Sequence, residues 1–134
     1  MTRLDAMAQI EAWFAARGRE PFDFQRQTWA AYLAGKSGLI QAPTGMGKTL
    51  AAALGPMIEM LDEPVEKKSP PLTLLWITPL RALASDTVES LRVAAGELGL
   101  NWSIELRTSD TSASVRKRQK ERLPTVLVTT PESA

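Results

Sequence analysis

The residues best suited to chemistry lie at 42–49, Ala-Pro-Thr-Gly-Met-Gly-Lys-Thr. Gly45 and Gly47 let the backbone turn tightly and bring amide N–H groups close to phosphate oxygens. Lys48 offers a full positive charge to the β and γ phosphates of a nucleoside triphosphate, and Thr49 offers a hydroxyl to Mg²⁺. A helix starting here adds unpaired N–H groups and the positive end of its dipole. The pattern is that of a phosphate-binding loop, with Ala42 in place of the usual first glycine. Ala42, Pro43, Thr44, Gly45, Met46, Gly47, Lys48 and Thr49 are therefore candidate triphosphate ligands. Lys48 and Thr49 are the candidate catalytic groups, and Thr49 the candidate metal ligand.

Such a loop needs a strand before it and a helix after it. Gly38 to Ala42 is short and apolar and predicts a buried strand. A helix should run from Gly47 to about Leu61, with Pro56 kinking or breaking it. Upstream, Leu4, Met7, Ile10 and Phe14 recur at helical spacing. Asp23 can cap a second helix that reaches about Leu33 and stops at Gly35. Asp62 to Pro71, with three prolines and two lysines, reads as a surface loop.

Downstream, residues 72–78 predict a second buried strand, whose unbroken apolar run from Leu74 to Ile77 suits a strand covered on both faces. Residues 79–97 predict a helix, 102–107 a strand, 111–123 a charged helix and 125–129 a last strand, with Pro131 able to start another helix. Strands alternating with helices imply an α/β fold around a parallel sheet. Ligands in such sheets gather at the carboxyl ends of the strands. Three of those four ends, at 42–44, 78–79 and 129–131, carry Thr with Pro.

Composition narrows the chemistry. The chain has 134 residues, the length of one domain, and a net charge of +1, so charge alone does not announce a nucleic-acid partner. With no Cys and no His, disulfides, thiolate or imidazole zinc sites and Ser-His or Cys-His catalysis are excluded within these residues. The apolar run Leu74 to Ile77 is far too short to span a bilayer, so no membrane association is expected. With Asp5 and Glu11 near the start there is no signal-peptide pattern, and a cytoplasmic location follows as an expectation.

A phosphate loop alone does not choose among kinases, transport ATPases, GTPases and helicases. The surrounding residues do. Gln-Ala-Pro-Thr-Gly-Met-Gly-Lys-Thr, at 41–49, resembles motif I of superfamily-2 helicases. Pro21-Phe22-Asp23-Phe24-Gln25 resembles their adenine-reading Q motif. Thr78-Pro79-Leu80-Arg81-Ala82-Leu83 resembles motif Ia, and Thr129-Thr130-Pro131-Glu132-Ser133 resembles motif Ib. Trp13 to Gly18, Arg107 to Thr111 and the basic helix before Val128 are similar to the Lhr-like DExH group, and the N-terminal stretch to the bacterial ligase-associated DExH helicases of DNA repair. Ser109 stands where that group often has glycine.

The resemblance implies a RecA-like ATP-binding domain, ATP and Mg²⁺ as cofactors, and single-stranded DNA as partner, with RNA the alternative. It implies that Gln25 pairs with adenine N6 and N7, a bidentate geometry that selects ATP. It also places Pro79, Arg81, Thr108, Asp110, Thr130 and Pro131 along the nucleic-acid backbone, where hydroxyls, cations and free amides suit phosphate oxygens. Arg116, Lys117, Arg118, Lys120 and Arg122 read more simply as a solvated helical face, and Trp13, Trp29, Trp76 and Trp102 as core. Phe22 and Phe24 read as core before base-stacking groups.

No DExH segment occurs among these residues, and the family's second RecA-like domain, which carries an arginine finger, is also required for turnover. The expectation is therefore that residues 1–134 are the N-terminal part of the first RecA-like domain of a longer chain and are inactive alone. A gap is expected in the sheet, because in this family the DExH strand and the next one lie between the phosphate-loop strand and the motif Ia strand. Two other readings stay open: a non-catalytic ATP- or nucleic-acid-binding module, and a different phosphate-loop enzyme such as a nucleotide kinase.

Overall fold

The computed structural model describes residues 3–42, 47–61 and 70–133. Two compact units are present, Met1–Val65 and Glu66–Ala134.

The first unit is helical. It holds α1 (Arg3–Ala16), α2 (Asp23–Leu33) and α3 (Lys48–Leu61). Helix α3 is its centre: Ala51, Ala53, Leu54, Met57 and Ile58 are all at most 1% exposed, so this helix is apolar almost all round. Ile10, Trp13 and Phe14 of α1 and Trp29 of α2 complete the core. Trp29 also spends its polar edge well, since Nε1 donates to the Leu50 carbonyl at 3.2 Å.

Four expectations change here. Residues 38–42 form no strand, and among the described residues the sheet has three members. A short apolar run becomes a strand only when a neighbour completes its ladder, and Leu39 stays 83% exposed. Asp23 is the first residue of α2 and Phe22, extended at φ −72°, is its cap. The cap needs no side chain of its own, because Gln25 three residues on supplies the acceptor. Pro56 does not break α3. The carbonyl that loses its donor belongs to Ala52, an exposed residue, while the proline ring is buried with the core face.

The fourth concerns the second unit, a parallel sheet in the order β1 (Leu74–Ile77), β3 (Val126–Thr129), β2 (Ile104–Arg107). Leu74 and Ile104 both register with Val126, and Ile77 and Arg107 with Thr129, so the three strands end level. Central β3 is buried throughout, as an unbroken apolar run should be. Edge strand β1, expected to be covered on both faces, is covered on one: Leu75 and Ile77 are 51% and 52% exposed. Helix α4 (Arg81–Glu97) packs on β2 and β3 with Ala84, Val88, Leu91, Ala94 and Ala95. Helix α5 (Ala113–Glu121) is capped by the Ser112 hydroxyl, which accepts from the Val115 N–H. After β3, Pro131 opens only a three-residue 3₁₀ turn. Of the four tryptophans, Trp13 and Trp29 are buried, while Trp76 and Trp102 are half-buried.

Candidate functional site

The sequence-predicted groups fall into two sets, one in each unit. In the first, Gly47 stands at the entrance to α3 with φ +82°, a left-handed conformation suited to glycine. Its carbonyl accepts from the Ala51 N–H at 3.1 Å, which starts the helix. The same carbonyl accepts a second hydrogen bond, from Gln25 Nε2 at 3.1 Å. Gln25 Oε1 meanwhile accepts from the Phe22 N–H at 2.8 Å. One buried amide, 1% exposed, thus ties the start of α2 to the end of the phosphate loop. A side chain at Gly47 would force this amide to shift: an added Cβ would lie 2.5 Å from Gln25 Nε2.

Lys48 is exposed and Thr49 half-exposed in the first turn of α3. The first-turn N–H groups of a 14-residue helix have no intrahelical acceptor. Such free N–H donors, with the exposed Lys48 beside them, have the chemistry an anion requires. Ala42 is half-buried just before the loop. Pro43, Thr44, Gly45 and Met46 lie outside the described residues. Phe22, 46% exposed, stacks on Phe24 with centroids 5.9 Å apart and 15° between planes; it is a surface ring rather than a core one.

In the second unit, the level ends of the three strands bring the other set onto one rim. Pro79 and Arg81 follow β1, Thr108 to Asp110 follow β2, and Thr130 to Glu132 follow β3. Arg81 is the open cation here. Its Nη1 donates to Asp110 Oδ2 at 2.6 Å and to Ser109 Oγ at 3.2 Å. Thr108 is buried and committed to its own loop. Its N–H donates to Thr111 Oγ1 at 2.8 Å, its hydroxyl accepts from the Asp110 N–H at 3.3 Å, and its carbonyl accepts from the Thr111 N–H at 3.1 Å. Thr130 is fully buried, and its hydroxyl makes no hydrogen bond of full geometry among the described residues. That hydroxyl still acts on the neighbouring Glu132. The exposed Glu132 carboxyl is held below its ordinary range first by its own backbone N–H, then by Thr130, with the Arg81 charge adding to the effect.

Sequence reasoning missed four participants, Arg116, Arg118, Gln119 and Glu132. Arg116, read as part of a solvated basic face, donates through Nη2 to the Thr108 carbonyl and through Nε to the Thr111 carbonyl, stapling the 108–111 loop to α5. Arg118 pairs with Glu105 at 3.0 Å, and the buried Gln119 reaches Glu105 and the Leu106 carbonyl. A single uncharged residue, Gln119, within a charged run was the only signal available. Glu132 was quoted in a motif but given no role. Lys117, Lys120 and Arg122 are exposed, as expected of a solvated face.

A family model for DEAD/DEAH box helicases matches residues 22–134, beginning at the cap of α2 and taking in both sets of residues. The chain is similar to the Lhr helicase/uracil glycosylase of Escherichia coli, 33% identical over 90% of this chain and 9% of that protein. It is similar to the Lhr helicase/probable uracil glycosylase of Mycolicibacterium smegmatis, 36% identical over 94% of this chain and 9% of that protein. The ATP-dependent helicase Lhr-Core of Methanocaldococcus jannaschii is 33% identical over 92% of this chain and 16% of its own length. Among solved structures, Mycobacterium smegmatis Lhr bound to single-stranded DNA and AMP-PNP superposes with a TM-score of 0.75 at 31% identity, over 95% of this chain and 16% of that one. The helicase MrfA, at 24% identity and a TM-score of 0.75, shares the fold. The chain thus spans between 9% and 16% of the length of these curated relatives. By the match of its sequence over 22–134 and the agreement of its fold, this chain belongs to the DEAD/DEAH box helicase family.

Proposed function

We propose that residues 1–134 are the N-terminal part of the first RecA-like domain of an ATP-dependent DNA helicase, acting in DNA repair in the cytoplasm. The observation that carries this reading is the hydrogen bond from Gln25 to Gly47, 3.1 Å long. A generic phosphate loop has no need of a buried glutamine at its last glycine; a helicase of this family has a use for one at the adenine side. Gln25 holds two N–H groups and two acceptor lone pairs on its amide. One of each is taken by Gly47 and Phe22. The remaining N–H and lone pair are of the kinds that adenine N7 and N6 require, and because the amide is buried they would meet the base only as the segment before α3 opens to admit it.

The residues present fit Mg²⁺–ATP. Glycine at +82° leaves the backbone bare where phosphates approach, Lys48 is exposed beside it, and Thr49 has a hydroxyl in the first helical turn. Thr49 would offer its hydroxyl to Mg²⁺, which would supply positive charge to the phosphate oxygens when bound. Lys48 and the first-turn amides of α3 would hold the same oxygens from the protein side. ATP bound against the second RecA-like domain of the full-length chain would close the two domains on a single strand, and hydrolysis would reopen them. Arg81, Pro79 and the turn at Thr130 and Pro131 would follow the phosphates of that strand, with Thr108 and Asp110 shaping the track. Such tracking is electrostatic and largely blind to sequence. The bound single-stranded DNA and AMP-PNP of the M. smegmatis relative support both ligand classes.

The test is the ATPase rate of the full-length protein with and without single-stranded DNA, for wild type and Lys48→Ala. The expected result is DNA stimulation in the wild type and its loss in the variant. Turnover indifferent to DNA and dependent on a small acceptor would point to a kinase. No turnover in the wild type would leave a binding module.

A further inference from the structure

We infer that Asp110 and Ser109 are positioning residues that aim Arg81 at a nucleic-acid phosphate, and that the 108–111 loop is built as their rigid mount. The inference rests on the reading of Arg81 as a backbone contact.

The detail that carries it is which nitrogen is used. Arg81 engages the loop through Nη1 alone. Nε and Nη2 make no hydrogen bond to a described residue. These two nitrogens share one edge of the planar guanidinium, the edge that takes two oxygens of a phosphate side-on. A carboxylate that merely occupied the arginine would compete for that fork. Asp110 instead grips the opposite corner, and Glu132, which feels the Arg81 charge, makes no hydrogen bond to it, so the fork is left presented.

The mount is unusually well tied for an exposed loop. Asp110 is anchored at its own N–H by the Thr108 hydroxyl, and Thr111 closes the turn onto Thr108 from both its hydroxyl and its N–H. Arg116 then holds the Thr108 and Thr111 carbonyls from α5. The chain of contacts runs from α5 through the loop to Arg81 on α4. Both ends of the ion pair are open to water, Arg81 at 56% and Asp110 at 77% side-chain exposure. Such a pair contributes little to stability. Its use is to restrict a long side chain before the ligand arrives, which lowers the ordering cost on binding. The same economy explains why a charge of the wrong sign stands at a phosphate site.

The experiment measures binding of a labelled oligo-dT strand to the full-length protein by fluorescence anisotropy across a salt series. Arg81→Ala should weaken binding and lower the slope of log K against log salt by about one. Asp110→Ala should weaken binding about two- to tenfold, the range set by freeing one long side chain. Asp110→Asn should recover most of that loss, because its amide oxygen still accepts from Nη1. The Arg81→Ala/Asp110→Ala double variant should bind no worse than Arg81→Ala alone. Binding equal to or tighter than wild type in Asp110→Ala, alongside a weakened Arg81→Ala, would overturn the positioning role and make Asp110 a competitor for the arginine. Additive losses in the double variant would overturn it too. An Arg81→Ala variant with unchanged affinity and slope would instead remove the nucleic-acid reading of Arg81, and this inference with it.

Discussion

At the scale of single residues, the phosphate loop depends on one carbonyl and one missing methyl group. Gly47 combines a left-handed backbone, the first acceptor of α3 and the acceptor for Gln25. Alanine there meets two penalties: strain of about 1–2 kcal/mol from the positive φ, and a Cβ placed 2.5 Å from Gln25 Nε2. Gln25 is buried, so displacing it leaves a polar amide without partners, at a further cost of about 1–3 kcal/mol. Gly47→Ala should therefore lower the thermal midpoint and reduce affinity for a fluorescent ATP analogue more than about tenfold, equivalent to 1.4 kcal/mol. The variant paired with Gln25→Ala separates the two effects. It should regain part of the stability, since the clash is gone, and none of the nucleotide affinity. Unchanged nucleotide binding in Gly47→Ala would show that this carbonyl and its turn do not shape the site. The sequence identified Gly47 and Gln25 separately, each toward ATP. Their bond to each other was not legible, because residues 22 apart meet only once α2 and α3 have packed.

At the scale of elements, what was legible is what local pattern decides. Strand β3 and helix α4 start slightly later than expected, at Val126 and Arg81, and end where expected, because each carries an unbroken or helical apolar pattern. Strand 38–42 was not recoverable, since its apolarity states a need for a partner without supplying one. Edge strand β1 shows the same limit from the other side: its four residues, Leu74 to Ile77, are apolar throughout, yet only one face is covered. Pro56 shows a third kind of override, in which a buried helix keeps its course because packing outweighs one lost hydrogen bond. Its neighbour gives a sharper case. Gly55 in the middle of α3 should by propensity be improved by alanine, by about 1 kcal/mol. A Cβ there would lie 2.9 Å from Cδ1 and 3.0 Å from Cγ of Tyr32 on α2. Overpacking of that kind costs about 1–3 kcal/mol, so Gly55→Ala should melt at a lower temperature than wild type. In a Tyr32→Ala background the same substitution should become neutral or stabilising. A raised midpoint in the single variant would mean the helices separate at little cost.

At the scale of the whole molecule, the question is what 134 residues can accomplish. They contain a loop suited to triphosphate and a rim suited to phosphate backbone. Phosphoryl transfer needs more: an acidic group to hold the metal and orient water, and a cation on the far side of the γ phosphate. Among the described residues no group of three or more acidic side chains is placed to hold a metal ion. The acidic residues of the rim, Asp110 and Glu132, belong to the second unit and stand around Arg81, already spoken for by its charge. Among the described residues Thr49 is a single neutral candidate ligand, and magnesium held by one hydroxyl keeps most of its water shell. The purified 134-residue chain should therefore release no phosphate from Mg²⁺–ATP above the buffer rate, with or without single-stranded DNA. Coupled-enzyme phosphate detection over an hour is sufficient to see it. Turnover that rises with DNA and disappears in Lys48→Ala would require a metal-holding acid within these residues, and would overturn the assignment of Lys48 and Thr49 as groups that bind the triphosphate without completing its hydrolysis.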